Sequence, residues 1–213
     1  TKASASLIAM KINDGAYTDA KREHGFFPTP DIVIQDVLDL AGLYHREPPE
    51  PADFNTQILE PSCGDGRMIH AVLARGYEAV TGYEVRPDAV ASCRERFDHF
   101  GMVSIRECDF LKHGAPDVLY DVIIANPPFS KLTDVDHVTE MFNKLKSGGV
   151  LVSIMSVSWT FRRTKKVTAF KDMLACNSQL GGMDYWTSLP SETFKESGTK
   201  VETGILVIEK GEG

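Results

Sequence analysis

With 213 residues, 42% of them hydrophobic and 25% charged, the chain has the apolar content for one α/β domain with a substantial core. Its net charge of -7 speaks against a protein that coats nucleic acid nonspecifically, but leaves room for a local basic patch. No apolar run approaches the ~18 residues that a membrane span needs, and the N-terminus lacks the basic, apolar and small-residue succession of a secretory signal. The expectation is a cytoplasmic protein with no membrane partner. Cys63, Cys93, Cys108 and Cys176 are far apart and make no C-x-x-C pair, so they are expected to be reduced thiols, mostly buried. The six histidines show no metal-ligand spacing; they are expected at the surface or half-buried, and no metal is assigned.

Residues 1–25 read as a flexible N-terminal arm and 26–213 as a single domain, with an N-terminal helical segment at 26–45 and the core at 57–213. In the first segment Ile34, Val37, Leu38 and Ala41 recur at helical spacing. Thr29 is placed to cap that helix, Pro30 to begin it and Gly42 to end it. A proline-rich connector follows at 46–55. From Gln57 onward strands alternate with helices: strands are expected at 58–60, 79–84, 102–106, 122–125 and 150–155, and helices at 68–75, 87–97 and 135–145. That alternation predicts a doubly wound, mostly parallel α/β sheet covered on both faces. Residues 180–186 and 201–209 are strand-like with no good helix between them, which predicts a C-terminal antiparallel hairpin.

Four strand ends carry chemistry. Glu60-Pro61-Ser62-Cys63-Gly64-Asp65-Gly66 lies between the first strand and the first core helix, where glycines let a backbone pass close to a ligand. Glu84 ends the second strand, 18 residues after Gly66, where doubly wound folds place a carboxylate that accepts from ribose hydroxyls. Carboxylates at Glu60 and Asp65 would repel a pyrophosphate and attract an ammonium or sulfonium. S-adenosylmethionine (SAM) carries both cations and no phosphate. Asp109, after the third strand, is placed to accept from an adenine amino group, with Phe110 as a ring contact; a loop carboxylate capping a turn is the alternative. The fourth strand, an apolar run, ends in Asn126-Pro127-Pro128-Phe129, where two prolines cannot donate to a sheet ladder.

In order along the chain, Phe26-Phe27-Pro28-Thr29-Pro30, the glycine loop, Glu84, Cys108-Asp109-Phe110 and Asn126-Pro-Pro-Phe129 resemble the motif series of class I SAM-dependent amino-methyltransferases. The order is similar to that of the gamma group of DNA adenine-N6 methyltransferases, and the segment from Leu189 to Thr203 resembles phage-type members. The resemblance implies a seven-stranded Rossmann-like sheet and SAM as cofactor. It implies that Phe27, Pro28, Thr29, Glu60, Pro61, Ser62, Gly64 and Gly66 hold the methionine moiety, Glu84 the ribose, and Asp109 with Phe110 the adenine. Asn126 stands where cofactor and target meet.

An exocyclic amine on a purine is a poor nucleophile because its lone pair is delocalised into the ring. Two acceptors on its hydrogens, the Asn126 side-chain oxygen and the Pro127 carbonyl, would favour a tetrahedral nitrogen with its lone pair aimed at a sulfonium methyl. The prolines preorganise both acceptors. Phe129 offers a face for a planar target.

The target is less legible, because the tetrapeptide resembles sites for adenine N6 in DNA or RNA, guanine N2 in RNA, and protein glutamine. Between Trp159 and Asp172 five basic residues, among them Arg162, Arg163, Lys165 and Lys166, face one acid, and Trp159 and Phe161 could stack on bases. That favours nucleic acid, DNA ahead of RNA, over a solvated helix face. No segment is long enough for a separate recognition domain, so a partner protein could supply specificity. A catalytically silent subunit that binds nucleic acid for a partner is the non-enzymatic alternative.

Overall fold

The computed structural model describes residues 27–46, 52–113, 118–177, 185–195 and 201–211. The expected arm at 1–25, the centre of the proline connector at 47–51 and most of the strand expected at 180–186 lie outside the described residues.

The elements in order are α1 (Asp31–Leu40), β1 (Ile58–Glu60), α2 (Arg67–Ala74), β2 (Val80–Glu84), α3 (Pro87–Phe97), β3 (Val103–Glu107), α4 (Phe110–His113), β4 (Tyr120–Ala125), a 3₁₀ turn (Ser130–Leu132), α5 (Thr133–Asn143), β5 (Leu145–Ser156), α6 (Ser158–Phe161), α7 (Lys165–Asn177), β6 (Trp186–Ser188) and β7 (Thr203–Glu209). They build one seven-stranded sheet in the order β3-β2-β1-β4-β5-β7-β6. The first five strands in that order run parallel, whereas β7 is antiparallel to both β5 and β6. This is the doubly wound sheet with an antiparallel C-terminal hairpin that the alternation predicts. The direction of winding reverses between β1 and β4, and such a switch point opens a crevice at the carboxyl ends of the strands.

Alternating side chains on the central strands sort the core into two layers. Val122 and Ile124 of β4 and Val152 and Ile154 of β5 face α1, α2 and α3, against Val37, Leu38, Ile69, Val72, Val90 and Phe97. Ile123 and Ala125, with Leu151 and Met155, face α5 and α7, against Val138, Met141, Phe170 and Leu174. These central strands are buried on both faces, which is why they read as continuous apolar runs rather than as alternation.

Several boundaries depart from expectation. Helix α1 is capped by Pro30 without any side-chain hydrogen bond, because the hydroxyl of the expected cap, Thr29, is engaged by Asn126. Strand β5 begins at Leu145 rather than after Gly148-Gly149; it bulges there, with Gly148 at φ 75°, as its pairing shifts from Tyr120↔Leu145 to Val122↔Val150. The basic stretch after Trp159 is occupied by α6 and α7, of which α7 packs Val167, Phe170 and Leu174 inward.

Candidate active site

The crevice holds a cavity of about 230 Å³ whose lining includes Phe27, Ser62, Glu84, Asp109, Asn126 and His137. Each strand end supplies one part of it. After β1 the chain turns through Gly64 (φ 55°) and Gly66 (φ 74°), both left-handed. A Cβ on Gly66 would stand 2.8 Å from the Phe97 ring and 2.9 Å from Cys93 Sγ, so the turn is pressed onto α3 with no room for a side chain. Arg67 ties this turn to the segment before α1: its guanidinium grips the Asp65 carboxylate (Nη2 to Oδ2 2.6 Å) and Nη1 donates to the Thr29 carbonyl at 3.0 Å. Asp65 is thereby neutralised by a neighbour. Sequence reasoning did not single out Arg67, although its place one residue past the glycine turn was visible.

Glu84 is buried at the tip of β2. One carboxylate oxygen accepts from the backbone N–H of Gly64 and the other from those of Val85 and Arg86, which locks it between the two strand ends. Asp109 caps α4 by accepting from the Leu111 N–H at 3.0 Å and pairs with Lys112, so the capping role and a seat on the cavity coexist. Glu60 is 2% exposed, and its Oε2 has no partner among the described residues. Burial, helped by the nearby Cys93 thiol and the Asp65 and Glu84 carboxylates, pushes its carboxyl well above the ordinary range.

Asn126 ends β4 beside these groups. Its amide nitrogen donates to the Phe27 carbonyl and to Thr29 Oγ1, both at 2.9 Å. The Phe27 carbonyl can only accept, which fixes the amide's orientation. The Asn126 Oδ1 is then buried with no partner among the described residues. Phe27 and Phe129 lie parallel, 6° apart in plane, with centroids separated by 6.5 Å.

His137 was expected at or near the surface. It is instead 6% exposed, on the face of α5 that lines the cavity, beside Phe110 at 5.9 Å between rings. Burial lowers its pKa to about 4, against the opposing pull of the Asp109 and Asp136 carboxylates, so the imidazole is neutral at physiological pH. Its Nδ1 has no partner among the described residues. It stands four residues after Thr133, a second cavity residue, on the same helical face.

Of the proposed nucleic-acid contacts, Arg162, Arg163 and Lys165 are exposed beyond the carboxyl end of β5, the sheet edge that also carries Asn126. Lys166 is half-exposed and pairs with Asp136. Trp159 is placed otherwise: it is 3% exposed and packs edge-on against Phe170 and Trp186, so its ring is not available to a base. The exposed aromatic of that stretch is Phe161, at 66%.

The model of the family described as "Methyltransferase domain" matches residues 58–149, the stretch from β1 into β5 that builds the cavity. Among solved structures, a Listeria monocytogenes protein described as a class I SAM-dependent methyltransferase superposes with a TM-score of 0.65 at 18% identity, covering 86% of this chain and 61% of that one. The fold is that of the class I SAM-dependent methyltransferases. SAM is the cofactor of this methyltransferase fold, and the residues present fit it: a Cβ-free turn and a carboxylate locked at the end of β2. Two curated relatives are similar over part of the chain. The modification methylase CviBIII of Paramecium bursaria Chlorella virus NC1A is 26% identical over 52% of this chain and 27% of its own length. The ribosomal protein L11 methyltransferase of Erwinia tasmaniensis is 31% identical over 48% of this chain and 31% of its own length. The chain thus spans less than a third of either relative.

Proposed function

We propose that the protein transfers the methyl group of SAM to an exocyclic amine, adenine N6 in DNA, at Asn126. The observation that carries this reading is the orphaned Asn126 Oδ1, held by an amide whose nitrogen is already committed to Phe27 and Thr29. A buried acceptor without a donor costs about 1–3 kcal/mol, which an incoming N–H would recover.

When bound, SAM supplies an electrophilic methyl on a sulfonium. The chain supplies alignment: Oδ1 of Asn126 and the carbonyl of Pro127 accept the two amine hydrogens, drawing the nitrogen lone pair out of conjugation. Alignment and charge placement, rather than a strong base, carry the acceleration. A base seated between Phe27 and Phe129 needs them about 7 Å apart, two contacts of about 3.5 Å. At 6.5 Å the pair must part slightly to admit one. In a duplex the target would have to be flipped out first.

Support for nucleic acid comes from the exposed Arg162, Arg163 and Lys165 on the same sheet edge and from the likeness to a viral modification methylase. The likeness to a ribosomal protein methyltransferase gives a protein substrate a place in the test. Labelled SAM is offered with DNA, transfer RNA, ribosomal RNA and lysate protein in parallel, followed by nucleoside analysis. N6-methyladenine in DNA is the expected product; label in RNA or protein alone would reassign the substrate. Asn126→Ala is expected to abolish transfer while SAM affinity stays within a few fold, and retained turnover would refute the role given to Oδ1.

A further inference from the structure

The cavity that holds Asn126 is also lined by a buried histidine that methyl transfer does not use. If the sulfonium stands at Asn126 and the ribose at Glu84, the base of the cofactor falls at the Asp109–Phe110 end. His137 stands there. Its ring leans on Phe110 at 5.9 Å, and the Asp109 carboxylate is close enough to act on it electrostatically. Among the described residues, nothing bonds to its Nδ1.

A carboxylate and a neutral imidazole form a complementary pair for adenine. Asp109 can only accept, which suits the amino group, whereas a neutral imidazole can donate an N–H to a ring nitrogen, which has only a lone pair to offer. Neither a charged histidine nor an apolar residue would serve: the first would bring a buried cation, and the second would leave the ring nitrogen unpaired. We propose that His137 is an adenine-recognising residue of the cofactor cavity, donating to a ring nitrogen of the adenine while Asp109 accepts from its amino group. The proposal rests on the methyl-donor reading of the cavity and is independent of the methyl acceptor's identity.

The test is calorimetric binding of S-adenosylhomocysteine, which cannot react, and of its 1-deaza, 3-deaza and 7-deaza analogues, each lacking one ring nitrogen. His137→Phe keeps a ring and the packing; His137→Asn keeps a hydrogen-bonding group near the position of Nδ1. His137→Phe is expected to bind the parent compound about 3–10-fold more weakly than the native chain, the range for one neutral hydrogen bond. His137→Asn should retain most of the affinity. One deaza analogue should lose a similar factor on the native chain and nothing further on His137→Phe. Equal affinities in the native chain and His137→Phe overturn the proposal, as does a loss in His137→Phe that no deaza analogue reproduces, because that pattern belongs to packing. Failure of the native chain to bind S-adenosylhomocysteine would defeat the methyl-donor reading itself. Binding without transfer to DNA would touch only the acceptor.

Discussion

Two side chains of the cavity, Asn126 and His137, and Glu60 on the adjoining glycine turn each keep one buried polar atom without a partner among the described residues. Burying such atoms unpaired is unfavourable, and two of them on one cavity wall suit a site that takes a hydrogen-bonding ligand. Glu60 makes this measurable. Its folded carboxyl holds a proton to higher pH than the unfolded chain does, so its contribution to stability is complete at low pH and is lost as pH climbs above about 4.3. Glu60→Gln carries no such proton. The melting temperature of the variant minus that of the native chain should therefore rise from pH 4 to pH 7, and a flat difference would refute the protonated state. At this scale much was legible. Glu84, Asp109 and Asn126 sit at strand ends that alternation locates, so their neighbourhood could be read from local sequence. Thr29 was read as a helix cap because its nearest sequence neighbours form a helix. Its partner, Asn126, is 97 residues away, and no local pattern reports such a bond. Trp159 failed as a stacking residue for a related reason: the basic residues around it describe the surface of that stretch, whereas its own ring was claimed by Phe170 and Trp186 from the other side.

Among elements, what holds the crevice open is the attachment of helices to strand tips. Asp134, in the first turn of α5, is fully buried and accepts from both the backbone N–H and the hydroxyl of Ser156 at the end of β5, at 2.9 and 2.8 Å. That clamp fixes the start of the helix that carries His137. Burial raises the Asp134 pKa even though these hydrogen bonds pull it down. Asp134→Ala strands three donors, the backbone amides of Val135 and Ser156 and the Ser156 hydroxyl, and should cost roughly 2–4 kcal/mol in chemical denaturation. A cost under 0.5 kcal/mol would mean the clamp is not what seats α5. The glycine turn predicts a complementary result. Gly66→Ala meets both a left-handed backbone and a ring at 2.8 Å, so it should destabilise the chain and weaken SAM binding together. Strand and helix identities were readable here because periodicity and proline or glycine punctuation agree. The bulge in β5 was not, since Gly148-Gly149 looks the same whether it ends a helix or lets a strand kink.

Across the whole molecule, the sheet is completed out of sequence order. Strand β7 lies between β5 and β6 and pairs with β5 over seven residues, from Val150↔Glu209 to Ser156↔Thr203. The hairpin was foreseeable from its apolar runs, but its insertion at that slot follows from tertiary pairing alone. A chain ended at Asn177 would lack β6 and β7 and leave the apolar edge of β5 open as a template for other chains. It should be recovered in the insoluble fraction, and a soluble, monomeric product would contradict this role for β7. The same arrangement bears on the route to the native state. Pairing β5 with β7 joins residues 47 to 59 positions apart, and non-local pairings of this kind slow folding because loop entropy is lost before contacts reward it. During that interval the edge of β5 is unpaired, so the yield of active protein from refolding should depend on chain concentration and on how quickly β7 finds its place.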